Sequence, residues 1–239
     1  MITFNGYDLT DLIQVTDING RGPLSQTIIS QSIPGKDGSF FQRRQLTERT
    51  LSVSFVVIAD FLEDLRDKVD TLNSILITDK EVPIIFSDEP DKTYYGILEG
   101  DSDIDETVFI GQGTVSFLCS DPFKYGQETS IELEEETVVN VQGTYGTYPK
   151  LEVRFETQSD EFVITRSDTG QFVRIIRDFS PNDFLEVDFA TGKIIINENV
   201  SMATLDWSNS DFFMLSPGSQ EITISPSTNS KLIWTPRWL

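Results

Sequence analysis

Apolar and polar positions alternate from Thr47 to Ile58, and the segment becomes solidly apolar at Phe55-Val56-Val57-Ile58. That pattern predicts a strand entering a core. Upstream, Gln26–Ile33 is a short β-rich run that stops at the turn pair Pro34-Gly35, and Lys36-Asp37-Gly38-Ser39 continues the loop. Downstream the period changes. Phe61, Leu62, Leu65, Val69, Leu72, Ile75 and Leu76 recur at helical spacing, while Glu63, Asp64, Arg66, Asp67, Lys68 and Asp70 fill the other face. One helix is expected here, laying its apolar stripe on a sheet. Asp60 is expected to cap its first turn, with Glu63 three residues later.

Strands resume at Val82–Phe86. The turn cluster Asp88-Glu89-Pro90-Asp91 lets Tyr94–Gly100 return antiparallel. Asp101–Glu106 is expected to be an acidic turn, followed by a strand over Thr107–Leu118 that Gly111 and Gly113 interrupt. Asp121-Pro122-Phe123-Lys124-Tyr125 closes the unit, because proline cannot donate to a ladder. The second half has no helical period. Lys150–Thr157, Glu161–Arg166, Gln171–Arg177, Phe184–Phe189, Lys193–Asn197, Phe212–Leu215, Glu221–Ser225 and Lys231–Thr235 read as short strands. Ser167-Asp168-Thr169-Gly170 and Ala190-Thr191-Gly192 read as hairpin loops. Many short strands at close spacing suggest an antiparallel sandwich. The expected class is mainly β with one helix, in two domains, 1–130 and 131–239.

Composition narrows the function. Seventeen Phe suit half-buried pleated surfaces. Histidine is absent, which removes Ser-His-Asp and Cys-His catalysis and the commonest metal ligand. The single cysteine, Cys119, cannot form an internal disulfide and is expected to be buried and inert. A net charge of −21 repels phosphate, so tight nucleic-acid binding is not expected. The first residues lack the basic and apolar regions of a signal peptide, and no segment is apolar for long enough to span a membrane. Asp101-Ser102-Asp103-Ile104-Asp105 opens like a calcium loop, but Glu106 and Gln112 stand where glycine and glutamate are needed. Gly35-Lys36 lacks the upstream glycine of a phosphate loop, and Asp37 replaces its serine or threonine. Carboxylates are plentiful, yet no surrounding motif marks a glycosidase pair. No cofactor or metal is expected, and no enzymatic activity.

Several segments carry a resemblance. The Pro34-Gly35-Lys36-Asp37-Gly38 loop, the Arg49-Thr50-Leu51-Ser52-Val53-Ser54-Phe55 strand and the Asp121-Pro122-Phe123-Lys124-Tyr125 segment are similar to the pattern of the siphophage distal tail protein (Dit) family. So are Phe184-Leu185-Glu186-Val187-Asp188 with Thr191-Gly192, and Leu215-Ser216-Pro217-Gly218. Gly218-Ser219-Gln220 departs from it where the family often has Gly then Asn. The resemblance spans nearly the whole chain. It implies a tail-tube-like N-terminal β-sandwich with a helix and a peripheral galectin-like, carbohydrate-binding-module-like C-terminal β-sandwich. It implies a homo-hexameric ring in the virion tail tip that joins the major tail-tube protein to a tail-associated lysin or tail fibre protein. It also implies a periphery where receptor-binding proteins can attach, and a bore through which DNA passes without specific binding. The chain would be made in the host cytoplasm.

Within that frame, Arg43, Arg44 and Arg49 cluster before a strand and are candidate ring-interface residues, pairing with carboxylates of a neighbouring copy. Asp101, Asp103, Asp105 and Glu106, or the acidic run 132–136, are candidates for negative potential along the channel. Trp207, among Asp206, Ser208 and Asn209, is the candidate glycan contact, whereas Phe212 and Phe213 are expected in the core. The rival reading is a carbohydrate-binding adhesin module contacting the host cell wall. A glycoside hydrolase and another tail-tube or baseplate subunit are further rivals.

Overall fold

The alternating segment ahead of the helix folds into a strand, Arg49–Ile58, in which Arg49, Leu51, Val53, Phe55 and Val57 turn inward. A computed structural model describes residues 1–100, 104–107 and 110–239. The chain folds as two units, Met1–Lys124 and Tyr125–Trp238. The division precedes residue 130 because Thr129–Leu133 is a strand paired with Asn229–Trp234 of the second unit.

The first unit runs β1 (Ile2–Phe4), β2 (Tyr7–Asp8), β3 (Gln14–Asn19), β4 (Gln26–Gln31), β5 (Phe40–Leu46), β6 (Arg49–Ile58), α1 (Leu62–Leu76), β7 (Val82–Phe86), β8 (Thr93–Glu99), β9 (Ile104–Thr107) and β10 (Ile110–Cys119). A two-residue β11 (Lys124–Tyr125) lies at the junction. The main sheet has the order β2-β1-β7-β8-β10-β6-β3, with β9 on β10. β6 and β10 pair along their whole length, from Ile110 opposite Ile58 to Cys119 opposite Arg49. The first half of β8 pairs with β7 and its second half with β10. The sheet therefore turns across β8, and Phe4 of β1 meets Phe117 of β10 with ring centroids 5.1 Å apart. Helix α1 buries Leu65, Leu72 and Leu76 in this core.

Three local expectations change. The helix starts one residue later than Asp60 would cap, at an N-cap Phe61 with no side-chain hydrogen bond. Asp64, inside the helix, accepts instead from the backbone N–H of Asp60, ahead of the helix, at 3.1 Å and pairs with Lys68 at 3.0 Å. Ile104–Glu106 belong to β9 rather than to a turn. Gly111 and Gly113 lie inside β10 and do not break it. The Leu65 and Ile104 side chains close over Gly111, where a Cβ would stand 3.4 Å and 2.9 Å from them. No helix among the described residues is long and apolar enough to cross a membrane.

The second unit comprises β12 (Thr129–Leu133), β13 (Glu136–Val141), β14 (Lys150–Arg154), β15 (Ser159–Arg166), β16 (Gln171–Phe179), β17 (Phe184–Asp188), β18 (Lys193–Ile196), β19 (Asn199–Val200), β20 (Gly218–Ser225), β21 (Asn229–Trp234) and β22 (Arg237–Trp238). Two antiparallel sheets, β12-β21-β14-β17-β18-β19 and β13-β20-β15-β16, share one core. The alternation read from the sequence is this sandwich's inward row. Phe212–Leu215 is not a strand. Leu215 exchanges two hydrogen bonds with Thr147, at 2.9 and 2.8 Å, and the ladder extends no further. The run is apolar because Phe213 and Leu215 are buried in the core from a connecting segment.

Candidate assembly surface

Among the described residues β4 and β5 pair only with each other. They form a two-stranded arm with the Pro34–Ser39 loop at its tip. A free two-stranded hairpin is marginal in water, yet this one leaves large apolar side chains exposed: Ile28 (56%), Ile33, Phe40 and Phe41 (66%). The register fixes which residues share a face. Ile28 stands opposite Arg44 and Ser30 opposite Phe41, while Ile29 stands opposite Arg43 and Gln31 opposite Phe40. Directly paired residues lie on the same side of the ladder, and positions two apart on β4 do as well. One face therefore carries Ile28, Phe41 and Arg44, and the other carries Ile29, Phe40 and Arg43. Lys36 covers the Phe40 ring at 3.7 Å, so the first of these faces is the barer.

Arg43 and Arg44 are exposed on the arm. Arg49 does not join them. It is 4% exposed, at the inner end of the β6 core row. Its Nη1 donates to the Gly20 carbonyl at 3.4 Å, and its guanidinium lies 5.5 Å from the Tyr94 ring centroid. The sequence places the three arginines together, but the start of β6 turns Arg49 into its own subunit, away from the surface.

The arm is held at its root. Arg21, in the link between β3 and β4, donates from Nη1 to Asp88 at 3.0 Å and from Nη2 to Glu89 at 2.9 Å, and stacks on Phe86. Glu89 also accepts from Lys92 at 3.0 Å and Lys124 at 3.1 Å. Burial alone would push the Glu89 carboxyl up, but hydrogen bonds from Lys92, Lys124 and Arg21 outweigh it and lower the pKa to about 2. The same clamp holds Asp88 below the usual carboxylate range. A depressed folded pKa means stability that is complete above the unfolded value near 4.5 and is lost as pH falls towards 2. Protonating Glu89 also leaves three cations facing one another. Glu89→Gln is therefore expected to lower stability at pH 7 by ~2 kcal/mol after solvent screening. It should also flatten the acid limb of a denaturation-midpoint profile, and an unchanged limb would show that the clamp contributes nothing.

Asp101 and Asp103 fall outside the described residues, and Asp105 and Glu106 fall on β9. Trp207 is 66% exposed on the second unit, its indole N–H donating to the Met202 carbonyl at 3.1 Å. Beside it Asn209 donates to both oxygens of Asp206 at 3.0 Å. Among the described residues no group of three or more acidic or cysteine side chains is placed to hold a metal ion. The arm itself escapes sequence reasoning at β5, and its only signal is Phe40-Phe41 next to Arg43-Arg44 without a period.

Two family models match the two units. The phage tail protein RIFT-related domain matches residues 5–119, and the C-terminal domain of the siphovirus-type tail component matches residues 142–238. The distal tail protein of Bacillus phage SPP1 is 32% identical over 242 residues, covering 99% of this chain and 94% of that protein. The chain belongs to the siphophage distal tail protein family. The crystal structure of SPP1 Dit, described as a paradigm of the hub adsorption apparatus in phages infecting Gram-positive bacteria, has a TM-score of 0.87 at 28% identity. The match covers 100% of this chain and 98% of that one. The phage P2 baseplate in its activated conformation with calcium shares the fold at a TM-score of 0.50 and 9% identity, over 96% of this chain and 92% of that one. As a distal tail protein the chain is a structural component of the virion tail, and its relatives are structural hub proteins.

Proposed function

We propose that six copies of this chain close into a ring that continues the tail tube. In this reading the ring meets the major tail-tube protein on one side and a tail-associated lysin or fibre protein on the other. The second unit faces outward as a platform for receptor-binding proteins. The chain acts by assembly and carries out no catalysis. The observation that carries the reading is the arm. A two-stranded hairpin with bare Ile28 and Phe41 and unpaired strand edges is a surface that gains by being covered. A ring needs one patch on each copy to meet a different patch on the next, in a contact that closes. The net charge of −21 supports passage of DNA, because acidic walls do not clamp phosphate. Negative-stain microscopy of the purified chain, and of tails that contain it, is expected to show six-fold rings with a central hole. Particles without rings in both preparations would remove the reading.

A further inference from the structure

The arm leaves the first unit with little packing to steady it. No residue of β4 or β5 is buried, so side-chain packing does not fix the direction of the hairpin. The bond from the Thr47 N–H to the Ser25 carbonyl, at 3.2 Å, closes the hairpin on itself. The root is also hollow. A cavity of about 370 Å³ is lined there by Gly22, Pro23, Leu24 and Ser25 of the β3–β4 link and by Arg49 and Thr50 of β6. Close packing would resist a tilt of the arm, and at this point close packing is missing.

The grip comes from one side chain ahead of that hollow. Arg21 meets Asp88 with both terminal nitrogens, Nη1 at 3.0 Å and Nη2 at 2.8 Å, and Glu89 with Nη2 at 2.9 Å. Its guanidinium lies 4.8 Å from the centroid of Phe86. What it grips is fastened to the main sheet. Phe86 ends β7 and is buried, and the Ser87 N–H donates to the Met1 carbonyl at 3.1 Å. Lys92 and Lys124 hold Glu89 as well. A planar fork on two carboxylates sets a direction as well as a distance, which a point charge does not.

We propose that Arg21 is a positioning residue for assembly: its clamp on Asp88 and Glu89 fixes the direction in which the arm leaves the unit, and copies join efficiently only while it is held. This rests on the ring reading and names the group that prepares its contact. A hairpin free to swing must be ordered each time a contact forms, and in a closed ring that cost falls on every interface. A clamped hairpin has met the cost in advance. Arg21 can be removed without stranding its partners, because Glu89 keeps Lys92 and Lys124. The apolar face of the arm is untouched by its loss.

The test uses the full chain with Arg21→Gln, Arg21→Lys and, as a comparison, Phe41→Ala. Ring formation is read by sedimentation and microscopy, and folding by circular dichroism. Motion of the arm is read separately, from the line width of a nitroxide on Arg43→Cys below the concentration at which rings form; the native thiol is buried and stays unlabelled. Arg21→Gln is expected to keep the wild-type dichroism, sharpen the nitroxide line and raise the concentration needed for rings at least about tenfold. Arg21→Lys should fall between, since it keeps the charge and loses the fork, and it carries the test if Arg21→Gln does not fold. Phe41→Ala should weaken rings with the line unchanged. A residue that only stabilises the fold would lower the melting point and leave the line of the folded chain broad. Rings at wild-type concentration in folded Arg21 variants, or a line that stays broad, would overturn the positioning role and leave the ring reading standing. Wild-type chains that form no rings, alone or in tails, would remove both.

Discussion

A single methyl group on Gly20 is expected to lower the stability of the first unit by about 4 kcal/mol and to release the root of the arm. Gly20 follows β3 with φ +88°, and a Cβ there would stand 1.9 Å from the Thr50 carbonyl oxygen, 2.9 Å from its carbon and 3.1 Å from the Leu51 Cα. These are backbone atoms of β6 and cannot swing aside. The left-handed conformation alone costs an L-residue about 1–2 kcal/mol. The overlap adds more, because β3 must part from β6 at the Asn19–Ser52 pair. Two neighbours suffer with it. Arg49 loses the Gly20 carbonyl as an acceptor, and Arg21, the next residue, is drawn away from Asp88 and Glu89. Gly20→Ala should therefore drop the denaturation midpoint followed by the helical far-ultraviolet signal, since α1 is the one α-helix among the described residues. Tryptophan fluorescence serves as the control, because all three tryptophans lie in the second unit. A midpoint within experimental error of wild type would disprove the close approach.

The elements that were legible in the sequence are those buried by their own chain. Leu65, Leu72 and Leu76 announce α1 because one helical face meets the sheet. Leu51, Val53, Phe55 and Val57 announce β6 for the same reason with a period of two. What the sequence hides follows from the converse. β5, Phe40-Phe41-Gln42-Arg43-Arg44-Gln45-Leu46, has no core within the chain to match, so its residues carry no alternation, and a bulge between Ile29 and Ser30 shifts the pairing as well. The sequence pattern thus shows only one strand and a loop of the arm. Arginine is usually a surface residue, but Arg49 stands two residues before Leu51 and so lies on the inward row. Phe212–Leu215 shows that an apolar run specifies burial and not a ladder. Composition favours a turn for the acidic stretch ending at Glu106, yet Ile104–Thr107 pairs with β10, because pairing is decided by the neighbouring strand as much as by local propensity.

The same division between self-burial and burial elsewhere separates structural from assembly residues. A substitution inside either core should act on folding, whereas one on the arm should leave the fold intact and act on association. Exposed positions away from special features change stability little. Circular dichroism and sedimentation measured on the same variant therefore sort the two classes, and Arg44→Glu is expected to move only the second.

Phe155→Ala is the clearest case of the first class, with an expected loss of about 4 kcal/mol from the second unit. Phe155 follows β14 and is 1% exposed. Its ring stacks on Phe179 at 3.9 Å, tilted by 10°, and meets Phe162 edge-on at 6.0 Å. Phe155 stands beside the six-stranded sheet, and the other two come from the four-stranded sheet, so the cluster ties the layers of the sandwich together. Its backbone is also engaged, with its N–H donating to Asp183 at 3.0 Å and its carbonyl accepting from Asn182 at 2.7 Å. Truncation removes the buried ring and leaves a cavity that two rigid strands cannot close, and the cost rises with the void that remains. Phe155→Leu should recover roughly half the loss, because it refills volume without restoring the ring contacts. Tryptophan fluorescence during denaturation measures this directly, since Trp234 is packed in the same core. A Phe155→Ala chain melting within about 1 kcal/mol of wild type would mean that the two sheets are not held together through this cluster.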